Sequence, residues 1–411
     1  IWVGLSNGIV DGDAVQINSM LFYSDDLPPL ATYNFYVDNL RREGPQTDTT
    51  PPEPPILKAV VQKQGTTNQV EISWKANTDD DLFGYRLYKS NTISGNTIIW
   101  ETAPILNETT LDKNAVSATV TIDSPSTVTL FKITAIDDAT PVKNESLAHT
   151  PLAVKITGTT QMPQVLSVID LDRYAPGQSG WGNYEYRQFI MYFAQALQAL
   201  NEPFISATAD GIIDGTVALD PYAYKLVTWS AGFDGNDESN TAVDEDAIPI
   251  IINFLNQTGR LYLSGTYIGT SLAATSGGPG LLSILGVTSE NQTGGSSIVI
   301  PAGSIFSGIT AALKTDDMWN YAAYSSTTNN NFIAIPGRKQ LEFTGSEDYA
   351  AGTSMDLSFK AVVTGFAFES LRQDSSESAN ARVQFLSKLL AFMGPVQGPP
   401  ASVNSHWVTY E

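Results

Sequence analysis

The chain has 411 residues, of which 42% are hydrophobic and 16% are charged. This length and composition predict a soluble protein of about two to four globular domains and exclude an intrinsically disordered chain. With 22 basic residues against 43 acidic ones and a net charge of −21, the chain lacks the positive surface that nucleic-acid binding needs. No apolar run reaches the roughly 18 residues that indicate a membrane span.

Cysteine is absent, and the only histidines are His149 and His406. The chain therefore has no disulfides, no thiolate metal ligands and no thiol nucleophile. Ser-His catalysis is also disfavoured, because neither histidine lies near the candidate catalytic turn in the sequence. The acidic excess has two interpretations: solubility in a salty or extracellular medium, or calcium binding by carboxylate clusters. No cofactor is required by any motif, and any bound metal is predicted to be Ca²⁺ and not zinc.

Residues 1–44 have strand-forming sequence, and residues 31–40, ATYNFYVDNL, alternate apolar and polar side chains. The ending FYVDNLRRE resembles the last strand of the jelly-roll modules that bind sugars in secreted bacterial enzymes. Since such a module has about eight strands, either the others lie upstream of Ile1 or this segment pairs with another partner. We expect it to be completed by strand addition to a neighbouring subunit. The assembly candidates are Tyr33, Phe35, Tyr36, Val37 and Leu40.

Residues 45–55, PQTDTTPPEPP, are predicted to be an extended proline-rich linker. From residue 56 to 157, short alternating segments separated by polar turns predict an all-β sandwich. The segments TPPEPP, V-x-I-x-W, D-x-x-G-Y-x-L-Y, F-x-I-T-A-I-D and NES together resemble a fibronectin type III domain. The resemblance implies that Trp74 and Tyr85 are core residues.

Strand-like and helix-like segments alternate from residue 164 to 394. The strand patterns are QVLSVIDL, FISAT, KLVTWS, RLYLS and KAVVT, and helical spacing is found at residues 183–200, 244–257 and 379–394. This order predicts an α/β domain with a doubly wound, mostly parallel sheet and helices on both faces. Residues 270–358 are expected to add strands and loops, and residues 395–411 to form an extended tail.

The turn from Gly265 through Tyr267 to Gly269 follows the strand pattern RLYLS and has the spacing G-x-X-x-G. This spacing is typical of a nucleophile elbow, a sharp strand-to-helix turn at the carboxyl edge of a sheet. We expect the glycines because side chains there would collide with neighbouring backbone. Enzymes place Ser or Cys at the centre, whereas this chain has Tyr267, so the degenerate elbow is predicted to be catalytically inactive.

Residues 164–394 resemble the class I glutamine amidotransferase-like domain of secreted, multidomain bacterial proteins labelled xanthan lyase or N-acetylmuramoyl-L-alanine amidase. The similar segments are VLSVIDLDRY, YKLVTWSAGFDGNDE, GRLYLSGTYIG, GSIFSGI, TGFAFESL and RVQFLSKLLAFMG. The resemblance implies a flavodoxin-like layout without implying activity. True amidotransferases have Cys at the elbow and a later His-Glu pair, whereas this chain has Tyr267, and its late segment GFAFES has Glu369 without a histidine just before it.

Two groups of acidic residues are ligand or calcium candidates. The first group follows predicted strands and would meet at one sheet edge, where Tyr267 also lies: Asp170, Asp172, Asp234, Asp237, Glu238 and Glu369. The second is the turn of Asp79, Asp80 and Asp81. Converging carboxylates could hold Ca²⁺ or a sugar through its hydroxyls. Alternatively, Asp170 or Asp172 caps a helix or pairs with Arg173, and the other acids are solvated.

These observations lead to two functional hypotheses. The first is a non-catalytic extracellular or cell-surface protein with a structural or adhesive role, able to assemble into filaments through its N-terminal strand segment. The second is the ancillary, glycan-binding C-terminal part of a secreted polysaccharide lyase or peptidoglycan amidase. Because the chain begins at Ile1 without a signal peptide, we interpret it as a processed protein or a fragment.

Overall fold

The computed structural model describes residues 2–5, 9–11, 14–16, 20–23, 48–95, 97–170, 188–232, 235, 241–295, 297–309, 313, 329–346, 348–371 and 380–396. The chain divides into two compact units, Ile1–Thr47 and Asp48–Glu411. In the first unit, β1 (Trp2–Leu5) pairs with β4 (Met20–Tyr23) and β2 (Ile9–Asp11) pairs with β3 (Ala14–Gln16). The strand expected at residues 31–40 lies outside the described residues, so its five assembly candidates remain predictions.

Two antiparallel layers of strands form a β-sandwich at the start of the second unit. Its strands are β5 (Leu57–Gln62), β6 (Gln69–Trp74), β7 (Leu82–Ser90), β8 (Ile93–Ser94), β9 (Thr97–Ile98), β10 (Ser117–Thr121), β11 (Thr129–Asp137) and β12 (Leu152–Val154). One layer has the order β10-β6-β5 and the other has the order β12-β11-β7, while β8 and β9 form a small hairpin. Trp74 and Tyr85 are buried between the layers with ring centroids 5.5 Å apart, which confirms their predicted place in the core.

An α/β part follows, with five parallel strands and the helices that connect them. Its first elements are β13 (Val165–Ile169), α1 (Ile190–Ala199), β14 (Ile205–Thr208), α2 (Ala209–Ile213), β15 (Leu226–Gly232), α3 (Ala247–Asn256) and β16 (Arg260–Gly265). The fifth parallel strand is β22 (Lys360–Thr364), and the chain continues through a 3-10 turn (Phe368–Ser370) to α6 (Ala381–Met393). The parallel strands have the order β14-β13-β15-β16-β22, so the second strand lies outside the first.

Strands lie between β16 and β22, as the composition of residues 270–358 predicted, together with two of the helices that the structure describes. They are α4 (Ile268–Ala274), α5 (Gly278–Ile284), β17 (Val287–Thr293), β18 (Ile298–Val299), β19 (Asn330–Ala334), β20 (Lys339–Phe343) and β21 (Gly352–Asp356). Strands β21, β20 and β18 extend the sheet antiparallel beyond β22, and β17 pairs with β19. Helix α1 contacts α6, while α3 contacts α2 and α5. Right-handed crossovers place α1 on the face opposite α2 and α3, because the strand order reverses after β14.

One continuous sheet of eleven strands joins the sandwich to the α/β part, which the sequence did not lead us to expect. Strand β5 pairs antiparallel with β14, with Val60 opposite Ser206. The Ser206 hydroxyl donates to the carbonyl of Ala153 at 2.6 Å and accepts from its amide at 3.0 Å. Helix α2 approaches β5 so closely that a Cβ on Gly211 would lie 2.2 Å from the carbonyl oxygen of Lys58. Backbone pairing thus crosses between the two parts. The division into separate domains that end at residue 157 and begin at residue 164 stays a prediction.

Candidate functional site

The G-x-X-x-G segment forms the strand-to-helix turn that its spacing predicted. Strand β16 ends at Gly265, α4 begins at Ile268, and Tyr267 is the N-cap residue with φ −98° and ψ 13°. A Cβ on Gly265 would lie 3.0 Å from the Ala231 side chain, and one on Gly269 would lie 2.9 Å from the Phe332 ring. The expectation that backbone would exclude these side chains is therefore wrong in its cause, because the nearest obstacles are other side chains.

The side chain of Asn330 caps the helix that follows the elbow. Its Oδ1 accepts hydrogen bonds from the amides of Gly269 at 2.9 Å and Thr270 at 3.1 Å. These are the second and third helical residues, the usual partners of an N-capping side chain. A backbone hydrogen bond also holds Asn330 next to the elbow, since its own amide donates to the carbonyl of Gly365 at 2.7 Å. In an enzyme with such an elbow, the amide of the residue after the nucleophile helps to bind the developing oxyanion, and that residue is Ile268 here. Asn330 binds the next two amides, so its role is that of a helix cap.

Sequence reasoning did not identify Asn330. It lies 61 residues beyond Gly269 along the chain, in a segment rich in Asn, Ser and Thr. A single asparagine in such a segment has no distinguishing spacing, so only the folded chain reveals that it meets the elbow.

Glu369 is fully buried within a polar network next to the end of β15. Both of its carboxylate oxygens lie 3.3 Å from the Ser230 hydroxyl, which donates to the carboxylate. The Arg382 guanidinium donates to the main-chain carbonyl of Glu369 at 2.5 Å and stacks 4.1 Å above the Tyr192 ring. Burial raises the pKa of Tyr192 above its ordinary value, and Arg382 partly offsets this shift. Glu369 thus joins the 3-10 turn, β15 and α6 in the interior of the fold.

Asp170 is also buried and lies at the end of β13. Its Oδ2 accepts a hydrogen bond from the Trp229 indole N–H at 2.7 Å, and its amide donates to the Ser230 carbonyl at 2.8 Å. Trp229 is itself fully buried, so this hydrogen bond lies in the interior of the fold.

The two carboxylates bind adjacent residues of β15, Trp229 and Ser230. Adjacent strand residues direct their side chains to opposite faces of a sheet. Asp170 and Glu369 therefore attach to opposite faces of β15 and do not form the converging pair that the sequence suggested. The remaining candidates of this edge lie outside the described residues: Asp172, Asp234, Asp237 and Glu238.

The acidic turn contributes only one of its three residues to a carboxylate cluster. Asp79 accepts from the amide of Glu53 at 2.7 Å and Asp80 is exposed. Asp81 instead meets Asp48 and Asp137, with carboxylate oxygens within 4.8 Å of one another.

This cluster has a simple electrostatic consequence. Burial raises the pKa of Asp81, and the neighbouring carboxylates Asp48 and Asp137 raise it further. Asp137 is fully buried and accepts hydrogen bonds from the amide and the side chain of Asn144, both at 2.7 Å. The three carboxylates could hold a cation, although Ca²⁺ takes about six to eight oxygen ligands.

An open groove of about 580 Å³ lies among α4, α5, β17 and β19. Its walls include Leu282, Val287, Ile333 and Ile335, and none of its lining residues is aromatic. Aromatic faces and convergent polar groups are the usual means of binding a sugar ring. The groove therefore gives no support to a glycan-binding site.

No family model and no curated protein matches the sequence. Among solved structures, the chain is similar to an Fn3-like protein from Clostridium thermocellum, with 17% identity and a TM-score of 0.19 over 25% of this chain and 92% of that one. A fibronectin type III domain of human fibronectin type III domain containing protein 3 is similar at 19% identity and a TM-score of 0.17, over 26% and 90%. A sialyltransferase from Photobacterium damsela is similar at 14% identity and a TM-score of 0.13, over 48% and 34%. Scores this low decide neither family nor function.

Among the helices that the structure describes, none combines the length and apolar character needed to cross a bilayer. This agrees with the sequence, which has no apolar run of sufficient length.

Proposed function

We propose that the protein is a non-catalytic extracellular or cell-surface protein with a structural or adhesive role. The observation that carries the non-catalytic part of the proposal is the residue at the centre of the elbow, where Tyr267 stands in the place of a nucleophile. A phenol with a reference pKa of about 10 is almost fully protonated at neutral pH, which makes it a poor nucleophile.

The proposal includes a fibronectin type III domain followed by a degenerate amidotransferase-like domain of flavodoxin-like layout. The strand order β14-β13-β15-β16-β22 supports this layout, because flavodoxin-like sheets have the order 2-1-3-4-5. The β10-β6-β5 and β12-β11-β7 layers support the first assignment, because the fibronectin type III fold is a two-sheet antiparallel sandwich.

A structural role also agrees with the way in which the two parts are joined. Pairing between β5 and β14 makes the sandwich an extension of the α/β sheet. The buried hydroxyl of Thr208 adds a hydrogen bond to the carbonyl of Leu57 at 2.8 Å. Hydrogen bonds of the backbone therefore join the two parts, in addition to the chain that connects them. Self-assembly by residues 31–40 remains part of the proposal as the source of a filament.

The test is a set of glutaminase, amidase and esterase assays on the intact chain and on Tyr267→Phe. We expect both proteins to remain at the background rate of buffer alone. Hydrolysis by the intact chain that is lost in Tyr267→Phe would overturn the proposal. Retention of the intact chain on insoluble polysaccharide or peptidoglycan, displaced by soluble glycan, would favour the ancillary glycan-binding role instead.

A further inference from the structure

Strand β10 forms an open edge of the eleven-stranded sheet. It pairs with β6 over residues Ser117 to Thr121, and no described strand pairs with its other side. The opposite end of the sheet is β18, which has only two residues. Of the two ends, β10 is therefore the one long enough to accept another strand.

The backbone of β10 presents hydrogen-bonding groups to solvent in a regular pattern. The carbonyl of Val116 accepts from the Trp74 amide at 3.0 Å, and the Ile122 amide donates to the Asn68 carbonyl at 2.7 Å, so both point toward β6. In an antiparallel strand this direction alternates with every residue. The amides and carbonyls of Ser117, Thr119 and Thr121 therefore point away from the sheet, and the side chains of these three residues are exposed.

The residues of β10 itself have none of the features that usually prevent pairing. Natural proteins protect edge strands with charged residues, proline or a bulge. The sequence of β10 is SATVT, without charge or proline, and its register with β6 is regular throughout. Two charged residues of opposite sign lie beside Thr119: Lys63 donates to the Thr119 hydroxyl at 3.2 Å, and Glu71 lies opposite Thr119 on β6.

We propose that β10 pairs antiparallel with β10 of a second copy of this chain, around a two-fold axis at Thr119. In this register Thr119 faces its own copy and Ser117 faces Thr121, so all three outward residues gain main-chain partners. The inference rests on the proposed structural role and deepens it by naming one contact surface.

The strand matches a second copy of itself in chemistry as well as in hydrogen bonding. Cross-strand Thr–Thr and Thr–Ser pairs are favourable, and the half-buried Ala118 and Val120 would face each other on the inner side of the joined sheet. The net charge of −21 on each copy opposes association. At physiological salt the Debye length is about 8 Å, so charges far from the neutral edge are largely screened.

The experiment measures association of the intact chain by sedimentation velocity over a concentration series. We expect a dimer that becomes at least tenfold weaker in Thr119→Lys and in Thr119→Glu, because like charges then face each other across the axis. An equimolar mixture of the two variants should associate again, because Lys then faces Glu. Thr67→Lys adds the same charge in an exposed turn and should leave the dimer intact.

A second measurement keeps the inference testable if the charged variants fold poorly. The chain has no native cysteine, so Thr119→Cys introduces a single thiol. A hydrogen-bonded antiparallel pair has a Cα–Cα distance of about 5.5 Å, within the roughly 4.4–6.8 Å that a disulfide spans. Mild oxidation should give a covalent dimer from Thr119→Cys and not from Thr67→Cys. A monomer at all concentrations, or charged variants that fail to associate when mixed, would overturn the pairing while leaving the proposed lack of catalysis untouched.

Discussion

Replacing Asn330 by Ala removes the acceptor for the amides of Gly269 and Thr270. Loss of an N-cap costs about 1 kcal/mol, within a range of about 0.5–2 kcal/mol. A buried donor without a partner costs about 1–3 kcal/mol, and Asn330 is only 6% exposed. Since Gly269 is buried and Thr270 is half-buried, we expect the free energy of unfolding to fall by about 2–3 kcal/mol.

Urea denaturation followed by circular dichroism measures this difference. Asn330→Asp keeps an oxygen acceptor and places negative charge at a helix start, so it should lose less stability than Asn330→Ala. Asn68→Ala, at an exposed turn, is the matched control. If the free energy of unfolding of Asn330→Ala lies within about 0.5 kcal/mol of the parent value, as for most surface substitutions, the cap does not stabilise the elbow and the prediction is wrong.

Three further predictions concern the junction and the sandwich. Ser206→Ala removes two buried hydrogen bonds to Ala153, so urea denaturation should show a loss of about 1–3 kcal/mol, and an unchanged midpoint would contradict it. Arg86 lowers the pKa of Glu108 from 4.5 to about 2. The stability from this pair is thus present above pH 4.5 and lost as the pH falls toward 2. The melting temperature of Glu108→Gln should therefore fall less over this pH range than that of the parent protein. Asp81 has a raised pKa, so its charged form destabilises the fold as the pH rises. Asp81→Asn should therefore raise the melting temperature at pH 7 and not at pH 3, and equal shifts at both would refute this.

Local patterns predicted most of the individual elements. The segment TLFKITAID coincides with β11, and the helix expected at residues 244–257 contains α3. Alternation and helical spacing report burial of one face, which depends on neighbours within one element. For this reason they identify strands and helices well and say little about which elements meet.

The pairing of β5 with β14 shows where such reasoning ends. Val60 and Ser206 are opposite each other in the sheet and far apart in the sequence. Both segments have ordinary strand patterns, and neither pattern indicates which strand it pairs with. The sequence analysis treated residues 56–157 and 164–394 as separate domains, whereas the edge of β5 pairs with β14.

For the candidate sites, too, the sequence predicted the positions of residues along single elements better than the contacts between elements. The sequence correctly placed the elbow at the end of a strand, and it found one member, Asp81, of the cluster with Asp48 and Asp137. It also grouped Asp170 with Glu369 because both follow strands. They attach to opposite faces of β15 because their partners, Trp229 and Ser230, are adjacent residues of that strand. The sequence alone does not identify these partners.

The most direct test of the central claim is the reactivity of a thiol at the elbow. Because the chain has no cysteine, Tyr267→Cys can be followed alone through the pH dependence of its alkylation rate. Activated cysteines have pKa values of about 3.5–7.5, and a free cysteine has a pKa of about 8.5. Because Asn330 already binds the Gly269 and Thr270 amides at the start of α4, we expect a pKa of about 8.5 or higher and no amide hydrolysis. A pKa below about 7 together with amide hydrolysis would show a latent catalytic centre and contradict the account.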